Sequence, residues 1–326
     1  MTFLKSFLVL MVMTFSMDRC APDAPHQNSL DPSSPGYSAT GALSGRVLTL
    51  TAPYSGIPNA LISIPRNLLA VFTAPDGSFL IPNVPSGTIT VVITRSGYLP
   101  DTLQVQISIG KTQNIEVHLD AVPVISQEQV VTQKIDQWWP GAVYNATVSA
   151  TIVDADGSAD IDSVNVLVDT VNFPMAYSFN SRNFQVTIYS DSLPQHDLQW
   201  LVGRSFVVRA RDREGAVTMS NPFYVTRIIE SEATPFYPVG LDTARASPVF
   251  EWNPPQVTFN YSYTIQVVRI DAGNQTVVWT EPGINSTLVS YTYPGVLSSG
   301  TYFWTIAVVD DYGNSSRSKE AAFSVK

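Results

Sequence analysis

A chain of 326 residues is too long for one small β module and predicts two or three domains. It is 44% hydrophobic but only 14% charged, which favours an extracytoplasmic β protein over a cytosolic helical enzyme. The formal net charge of −9, without any cluster of Lys and Arg, argues against nucleic acid as a partner.

Residues 1–19 have the pattern of a secretion signal peptide. An apolar run at 3–17 follows the start of the chain and contains Lys5 as its early positive charge. The run is shorter than the roughly 20 residues that a membrane-spanning helix needs. Residues 20–40 are rich in Pro, Ser, Asp and Asn, and we expect them to form a disordered tether.

Cys20 is the single cysteine of the chain and stands between the apolar run and the tether. This position predicts a lipidated cysteine, so the membrane would be contacted through the lipid anchor only. Asp18 and Arg19 depart from the small residues that normally precede a bacterial lipidation site. The alternative is ordinary signal-peptide cleavage after Ser16, which would give a secreted or periplasmic protein.

From Gly41 onward, short runs of alternating β-branched and aromatic residues are separated by Gly, Pro, Asn and Asp. No stretch of eleven or more residues shows a helical period. The predicted fold class is all-β, with tandem β-sandwich domains at 41–121, 122–228 and 229–326. Strands are predicted at 88–94, 114–119, 146–153, 184–189, 206–210, 263–268 and 301–309.

An internal similarity links the second and third predicted domains. Aligning Asp212 with Asp310 also aligns Gly215 with Gly313, at an offset of 98 residues. Because about 100 residues is the length of one immunoglobulin-like sandwich, the repeat is of whole domains.

Residues 41–121 contain the segments Gly45-Arg-Val, GIPNALISI, TAPDGSFLIPNVPSG, SGY and GKTQNIEVHL. Through these segments they resemble the carboxypeptidase regulatory-like family, a small prealbumin-like sandwich. Asp76-Gly77 predicts a tight hairpin turn with positive φ, after which Phe79 and Ile81 point to one face. The resemblance implies a folding or docking module without catalytic residues.

Residues 229–326 resemble fibronectin type III domains of bacterial surface proteins, through the segments FEW, YSYTI and LSSGTYFWTIAVVDDYGN. The resemblance implies a tyrosine corner at Tyr302, a core position for Trp252, and one shared face for Trp304, Ile306 and Val308. In residues 122–228, the segment ATVSATIVDADGSADIDSVNVLVD reads as a strand, an acidic Gly turn and another strand, and this pattern is similar to bacterial immunoglobulin-like or cadherin-like modules.

The acidic residues Asp154, Asp156, Asp160 and Asp162 surround Gly157 and form the candidate metal site. Ca²⁺ is the cofactor that carboxylates so closely spaced would bind. The spacing does not match an EF-hand, because Ala159 and Asn165 stand where that loop needs Gly and Glu. The alternative is an Asx-type hairpin turn, which common usage of Asp and Gly favours. Turn chemistry also explains Asp212 and Asp310.

Trp138 and Trp139 are the candidate ligand-contacting aromatics. On an extended chain one would enter the core and the other would be exposed to a sugar ring or a partner. The alternative, which we favour from their position near a joint, is that both pack between the first two domains.

The sequence lacks HExxH, GxSxG and Gly-rich phosphate-loop motifs, and compact sandwiches leave little room for a catalytic cleft. We therefore expect a non-catalytic lipoprotein of the bacterial outer membrane or cell surface that acts in adhesion, scaffolding or binding of a protein or glycan ligand. The alternative function is a glycan-binding accessory protein of a polysaccharide-processing system.

Overall fold

A computed structural model describes residues 31–34, 37, 39–240 and 242–326. The predicted signal peptide, Cys20 and most of the tether lie outside the described residues. The all-β prediction is confirmed, because strands dominate and the helical segments are short 3-10 turns at Pro65–Asn67, Ser190–Ser192, Pro194–His196 and Leu198–Leu201. Among the described residues, no helix has the length and apolarity required to cross a membrane. The chain forms one compact unit that ends at Leu119 and a second that spans Asp120–Lys326.

The first unit is a sandwich whose sheets have the strand orders β4-β1-β7 and β3-β2-β5-β6. Strand β1 runs parallel to β7 and antiparallel to β4. Alternate residues face inward, and Phe79 and Ile81 share one face of β4, as predicted, which is buried in the core. The strands are β1 (Thr40–Thr49), β2 (Leu61–Ile64), β3 (Leu69–Phe72), β4 (Ser78–Pro85), β5 (Gly87–Thr94), β6 (Asp101–Ile107) and β7 (Thr112–Leu119).

The predicted turn at Asp76-Gly77 is confirmed. Gly77 has φ +79°, and a Cβ at this position would lie 2.2 Å from the carbonyl oxygen of Val47. The Asp76 carboxylate accepts hydrogen bonds from the backbone N–H and the hydroxyl of Ser78, at 3.0 and 2.7 Å. Glycine is therefore required here both by conformation and by space.

The second unit begins with a sandwich whose sheets have the strand orders β12-β13-β9-β8 and β11-β10-β14-β15. Its core contains Val148, Val166, Phe206 and Val208, all fully buried. The strands are β8 (Val124–Ile135), β9 (Val143–Val153), β10 (Ile161–Val168), β11 (Val171–Pro174), β12 (Ala176–Ser178), β13 (Asn183–Tyr189), β14 (Phe206–Asp212) and β15 (Val217–Met219).

The second sandwich of this unit pairs β23-β22-β19-β20 in one sheet, with β24 beside β22 and β17 beside β24, and β16-β18-β21 in the other. The strands are β16 (Thr234–Tyr237), β17 (Asp242–Ala244), β18 (Val249–Asn253), β19 (Tyr261–Asp271), β20 (Asn274–Asn285), β21 (Ser290–Thr292), β22 (Gly300–Asp310), β23 (Ser315–Arg317) and β24 (Ala321–Val325).

The aromatic positions expected for this sandwich are found in its core. Trp252 is buried, and Trp304, Ile306 and Val308 share one buried face of β22. The Tyr302 hydroxyl donates to the Ser298 carbonyl oxygen at 2.8 Å, which is the predicted tyrosine corner.

Strands β8 and β23 join the two sandwiches of the second unit. They pair in parallel, with Ser315 opposite Gln133, Ser316 opposite Lys134 and Arg317 opposite Ile135. One sheet therefore runs without interruption from β12 to β20, through both sandwiches.

Candidate metal centre and joint pocket

Six acidic residues from distant parts of the sequence meet at one end of the first sandwich of the second unit. Carboxylate oxygens lie within 4.8 Å of one another in three overlapping groups, Asp120–Asp156–Asp160, Asp120–Asp212–Glu214 and Asp154–Asp160–Asp212. We call these six residues the acidic cluster.

Strand pairing explains why these residues meet. The register of β8 with β9 places Val124 opposite Val153, which brings the segment at Asp120 beside the loop that follows β9. The register of β10 with β14 places Ile161 opposite Asp212, so Asp160 and Asp212 become neighbours.

One oxygen of several carboxylates is held by backbone N–H groups. The Asp154 Oδ1 accepts from the N–H of Asp156 at 2.8 Å, which is the predicted Asx-type turn. The Asp212 Oδ1 accepts from the N–H groups of Gly215 and Ala216 at 2.6 and 2.7 Å. The Asp156 Oδ2 accepts from the N–H of Ala121 at 2.7 Å. These bonds fix the carboxylates in place.

The second oxygens are different. Asp154, Asp160 and Asp212 are 7%, 4% and 0% exposed, and the Oδ2 atom of each is buried without a hydrogen-bond partner in the described structure. The Oδ1 atom of Asp120 is likewise buried without a hydrogen-bond partner in the described structure. A buried carboxylate oxygen without a partner carries a large desolvation cost. Buried carboxylates are therefore normally paired with a positive group or a metal ion.

Burial raises the pKa of three carboxyl groups of the cluster. Burial, followed by the charges of Asp212 and Glu214, raises the pKa of Asp120 to about 6. Burial, then the hydrogen bond with Glu214 and its charge, raises the pKa of Asp160 to about 7. Burial also raises the pKa of Asp154. In each case the ionised form is disfavoured by lost hydration and by neighbouring negative charge.

The structure brings together three of the four acids of the sequence-predicted metal site. Asp154, Asp156 and Asp160 are in the cluster, whereas Asp162 is exposed on β10 and belongs to none of the three groups. The fold adds Asp120, Asp212 and Glu214, which a search for a local Asp-rich loop misses.

A pocket of about 520 Å³ lies where the two sandwiches of the second unit meet. Asp136 and Trp138, from the segment after β8, line it together with residues of the second sandwich, among them Glu232, Pro235, Ser318 and Ala322. The surface combines an apolar floor with carboxylate and hydroxyl groups, a composition typical of small-ligand sites.

Trp138 and Trp139 are 72% and 82% exposed. Neither ring belongs to the core of the first sandwich of this unit, so the prediction that one of them enters that core is wrong. Packing of both rings between the first two predicted domains stays a prediction. The indole N–H of Trp138 donates to the Glu320 carbonyl oxygen at 2.8 Å, and the Lys319 ammonium lies 4.7 Å from the ring centroid. These contacts hold Trp138 at the rim of the joint pocket, which Trp139 does not line.

Comparison with known proteins identifies part of the first unit. Residues 42–120 match the carboxypeptidase regulatory-like domain. The match covers about a quarter of the chain and confirms the resemblance expected for this region. No curated protein matches the sequence.

The solved structures that match this chain have very different sequences. The major pilin subunit BcpA of Bacillus cereus is 10% identical over 84% of this chain and 91% of its own, with a TM-score of 0.30. The FN1–FN3 domains of chicken CNTN1 are 11% identical over 84% and 93%, with a TM-score of 0.35. A DUF3823 family protein from Bacteroides ovatus is 12% identical over 56% and 97%, with a TM-score of 0.25. Similarities at this level carry no inference about function.

Proposed function

We propose that the chain is a non-catalytic, exported, modular binding or scaffold protein of the bacterial envelope, attached to the membrane through a lipid on Cys20. The secretion pattern at 1–19 and the regulatory-like domain at 42–120 support export and modularity. The observation that carries the scaffold function is the joint between the two sandwiches of the second unit.

A buried polar network reinforces the pairing of β8 with β23 at this joint. Asn314 is fully buried, and its side-chain carbonyl accepts from the N–H of Thr132 at 2.9 Å while its amide donates to the Thr226 hydroxyl at 2.8 Å. The Thr132 hydroxyl donates to the Arg227 carbonyl oxygen at 2.6 Å. Each sandwich thus satisfies buried polar groups of the other, and separating them would leave these groups without partners.

A second set of bonds continues along the same edge. The N–H of Asp136 donates to the Arg317 carbonyl oxygen at 2.9 Å, and Arg317 donates to the Asp136 carbonyl oxygen at 3.3 Å. Adjacent domains usually move relative to each other unless their interface is extensive. A shared sheet with a buried network favours a rigid spacer, which is the property that a scaffold needs to present a surface at a fixed distance and angle.

Distance measurement between spin labels tests this rigidity. In a full chain with Cys20→Ser, cysteines at the exposed positions Asn180 and Gln275 place one label on each sandwich. We expect one narrow distance distribution, which broadens when Asn314→Ala removes the joint network. A broad distribution in the chain that retains Asn314 would contradict a rigid scaffold.

Glycan binding is the second candidate function, and the exposure of Trp138 beside the joint pocket favours it. An aromatic ring next to carboxylates such as those of Asp136 and Glu232 offers both stacking and hydrogen bonding to a sugar. The test is a glycan array followed by calorimetry with any oligosaccharide that binds.

Trp139 supplies the matched control for this test, because it is also largely exposed but does not line the pocket. We expect Trp138→Ala to abolish binding and Trp139→Ala to preserve it. Absence of binding to every glycan on the array, or equal loss in both variants, would exclude the joint pocket as a glycan site.

A further inference from the structure

We propose that the acidic cluster of the second unit is a Ca²⁺ site, formed by carboxylates from the segment before β8, the loop after β9 and the turn after β14. This inference goes beyond the proposed scaffold function and is independent of it. It rests on buried carboxylate oxygens that have no hydrogen-bond partner among the described residues.

The internal repeat provides a direct comparison within the same chain. Asp212 and Asp310 occupy equivalent turns, in which the aspartate N–H donates to the carbonyl of the residue four positions later, at 3.1 and 3.0 Å. In both turns the aspartate Oδ1 accepts the N–H of that same residue, Ala216 in the first and Asn314 in the second.

The two turns differ in what faces the second oxygen. The Asp310 Oδ2 accepts from the Arg227 guanidinium at 2.7 Å and from the Asn314 amide at 3.1 Å. The Asp212 Oδ2 is buried and has no hydrogen-bond partner among the described residues. An arginine neutralises the carboxylate of Asp310, whereas further acidic residues surround the equivalent carboxylate of Asp212.

A bound cation would resolve this arrangement with the carboxylates still ionised. In the described part of the chain, Asp154, Asp160 and Asp212 take part in no ion pair with Lys, Arg or His. A bound divalent ion would offset both the desolvation cost of these buried carboxylates and the repulsion between them, because its charge inverts the local electrostatics.

The ligand set selects calcium among the common divalent ions. All six side chains offer carboxylate oxygens, and the cluster contains no His or Cys that would favour zinc. Ca²⁺ accepts six to eight oxygens in flexible geometry, whereas Mg²⁺ retains several waters and uses only one or two carboxylates. Backbone N–H groups hold the Oδ1 atoms of Asp154 and Asp212, and their buried Oδ2 atoms have no hydrogen-bond partner among the described residues, so both are available as ligands.

Calorimetric titration of the metal-depleted full chain with CaCl₂ tests the site, together with the melting temperature (Tm) in Ca²⁺ and in chelator. We expect saturable binding, a higher Tm with Ca²⁺, and at least tenfold weaker binding of Mg²⁺. Asp160→Asn should weaken Ca²⁺ binding at least tenfold, because it removes a ligand shared by two of the three carboxylate groups.

Two further variants keep the result interpretable. Glu214→Gln changes an exposed member of the cluster, so it should weaken binding even if Asp160→Asn does not fold. Asp162→Asn is the matched control, since Asp162 has the same charge and lies nearby in sequence but outside the cluster. A flat calorimetric trace with an unchanged Tm would overturn the proposal, and so would equal weakening by Asp162→Asn and Glu214→Gln. Either result leaves the rigidity of the joint untouched.

Discussion

Arg227 and Asp310 form an ion pair of 2.7 Å in which the Asp310 side chain is completely buried and that of Arg227 is 31% exposed. Arg227 lies on the segment that connects the two sandwiches of the second unit, and its guanidinium also lies 3.9 Å from the centroid of the Phe259 ring. The connection between the sandwiches is therefore held by the same carboxylate that organises the turn before β23.

Removing the positive charge should destabilise the second unit. Arg227→Met leaves the carboxylate of Asp310 buried without its charged partner, at a cost of about 3 kcal/mol in the free energy of unfolding. Denaturant unfolding of the full chain measures this loss. Asp271→Asn is the control, because it breaks the Arg269–Asp271 pair, in which Asp271 is 62% exposed, and such pairs contribute less than about 1 kcal/mol.

The double variant identifies the cause. If the loss comes from an uncompensated charge, Arg227→Met combined with Asp310→Asn should be more stable than the sum of the two single changes predicts. Additive losses would mean that the ion pair does not couple the two residues.

In the metal-free chain, the contribution of Asp160 to folding stability should fall as the pH rises. Asp160 has an ordinary pKa of 3.8 that burial and Glu214 raise to about 7 in the folded state. Below pH 4 the group is protonated in both states and has no effect. Between about pH 4 and pH 7 the folded state binds more protons than the unfolded state, so this group lowers stability as pH rises.

Comparison with Asp160→Asn isolates this effect from other titrating groups. In chelator-treated protein, the variant should melt at the higher temperature at pH 8, and this Tm difference should shrink as the pH is lowered toward 4. A Tm difference that is constant between pH 5 and pH 8 would show that Asp160 titrates normally.

The fold was largely predictable because its determinants are local. Alternating apolar residues place β4 and β22 on the core, and the Asp76-Gly77 turn follows from the positive φ that glycine tolerates. The tyrosine corner at Tyr302 was expected from the resemblance to fibronectin type III domains, and it too is local, since its hydroxyl and its acceptor lie four residues apart.

The acidic cluster was predictable only in part, because its assembly depends on long-range register. Asp154, Asp156 and Asp160 share one loop, but Asp120 and Asp212 join them through the pairing of β8 with β9 and of β10 with β14. The place of Trp138 beside the joint pocket also escaped prediction. Hydrophobicity favours burial of an indole ring, whereas here a hydrogen bond to Glu320 holds it at the surface.

The tyrosine corner should contribute measurably to stability. Tyr302→Phe removes the bond to the Ser298 carbonyl while keeping the buried ring, and we expect a loss of about 1 kcal/mol in denaturant unfolding. Tyr312→Phe is the control, because Tyr312 is 56% exposed and its change should be within about 0.5 kcal/mol of zero. Equal effects of the two variants would contradict a structural role for the Tyr302 hydroxyl.

Lipidation of Cys20 should determine where the protein is found. Expressed from its own N-terminus in a Gram-negative host, the chain should fractionate with membranes, and mass spectrometry should detect a diacylglyceryl group on Cys20. A single acyl chain gives only weak membrane attachment, whereas a lipidated cysteine carries two or more chains, so membrane association should resist salt washing.

Cys20→Ser should move the protein to the soluble exported fraction. If the mature chain instead begins at Met17 and carries no lipid, ordinary signal-peptide cleavage after Ser16 is the correct interpretation, and export is retained without the anchor.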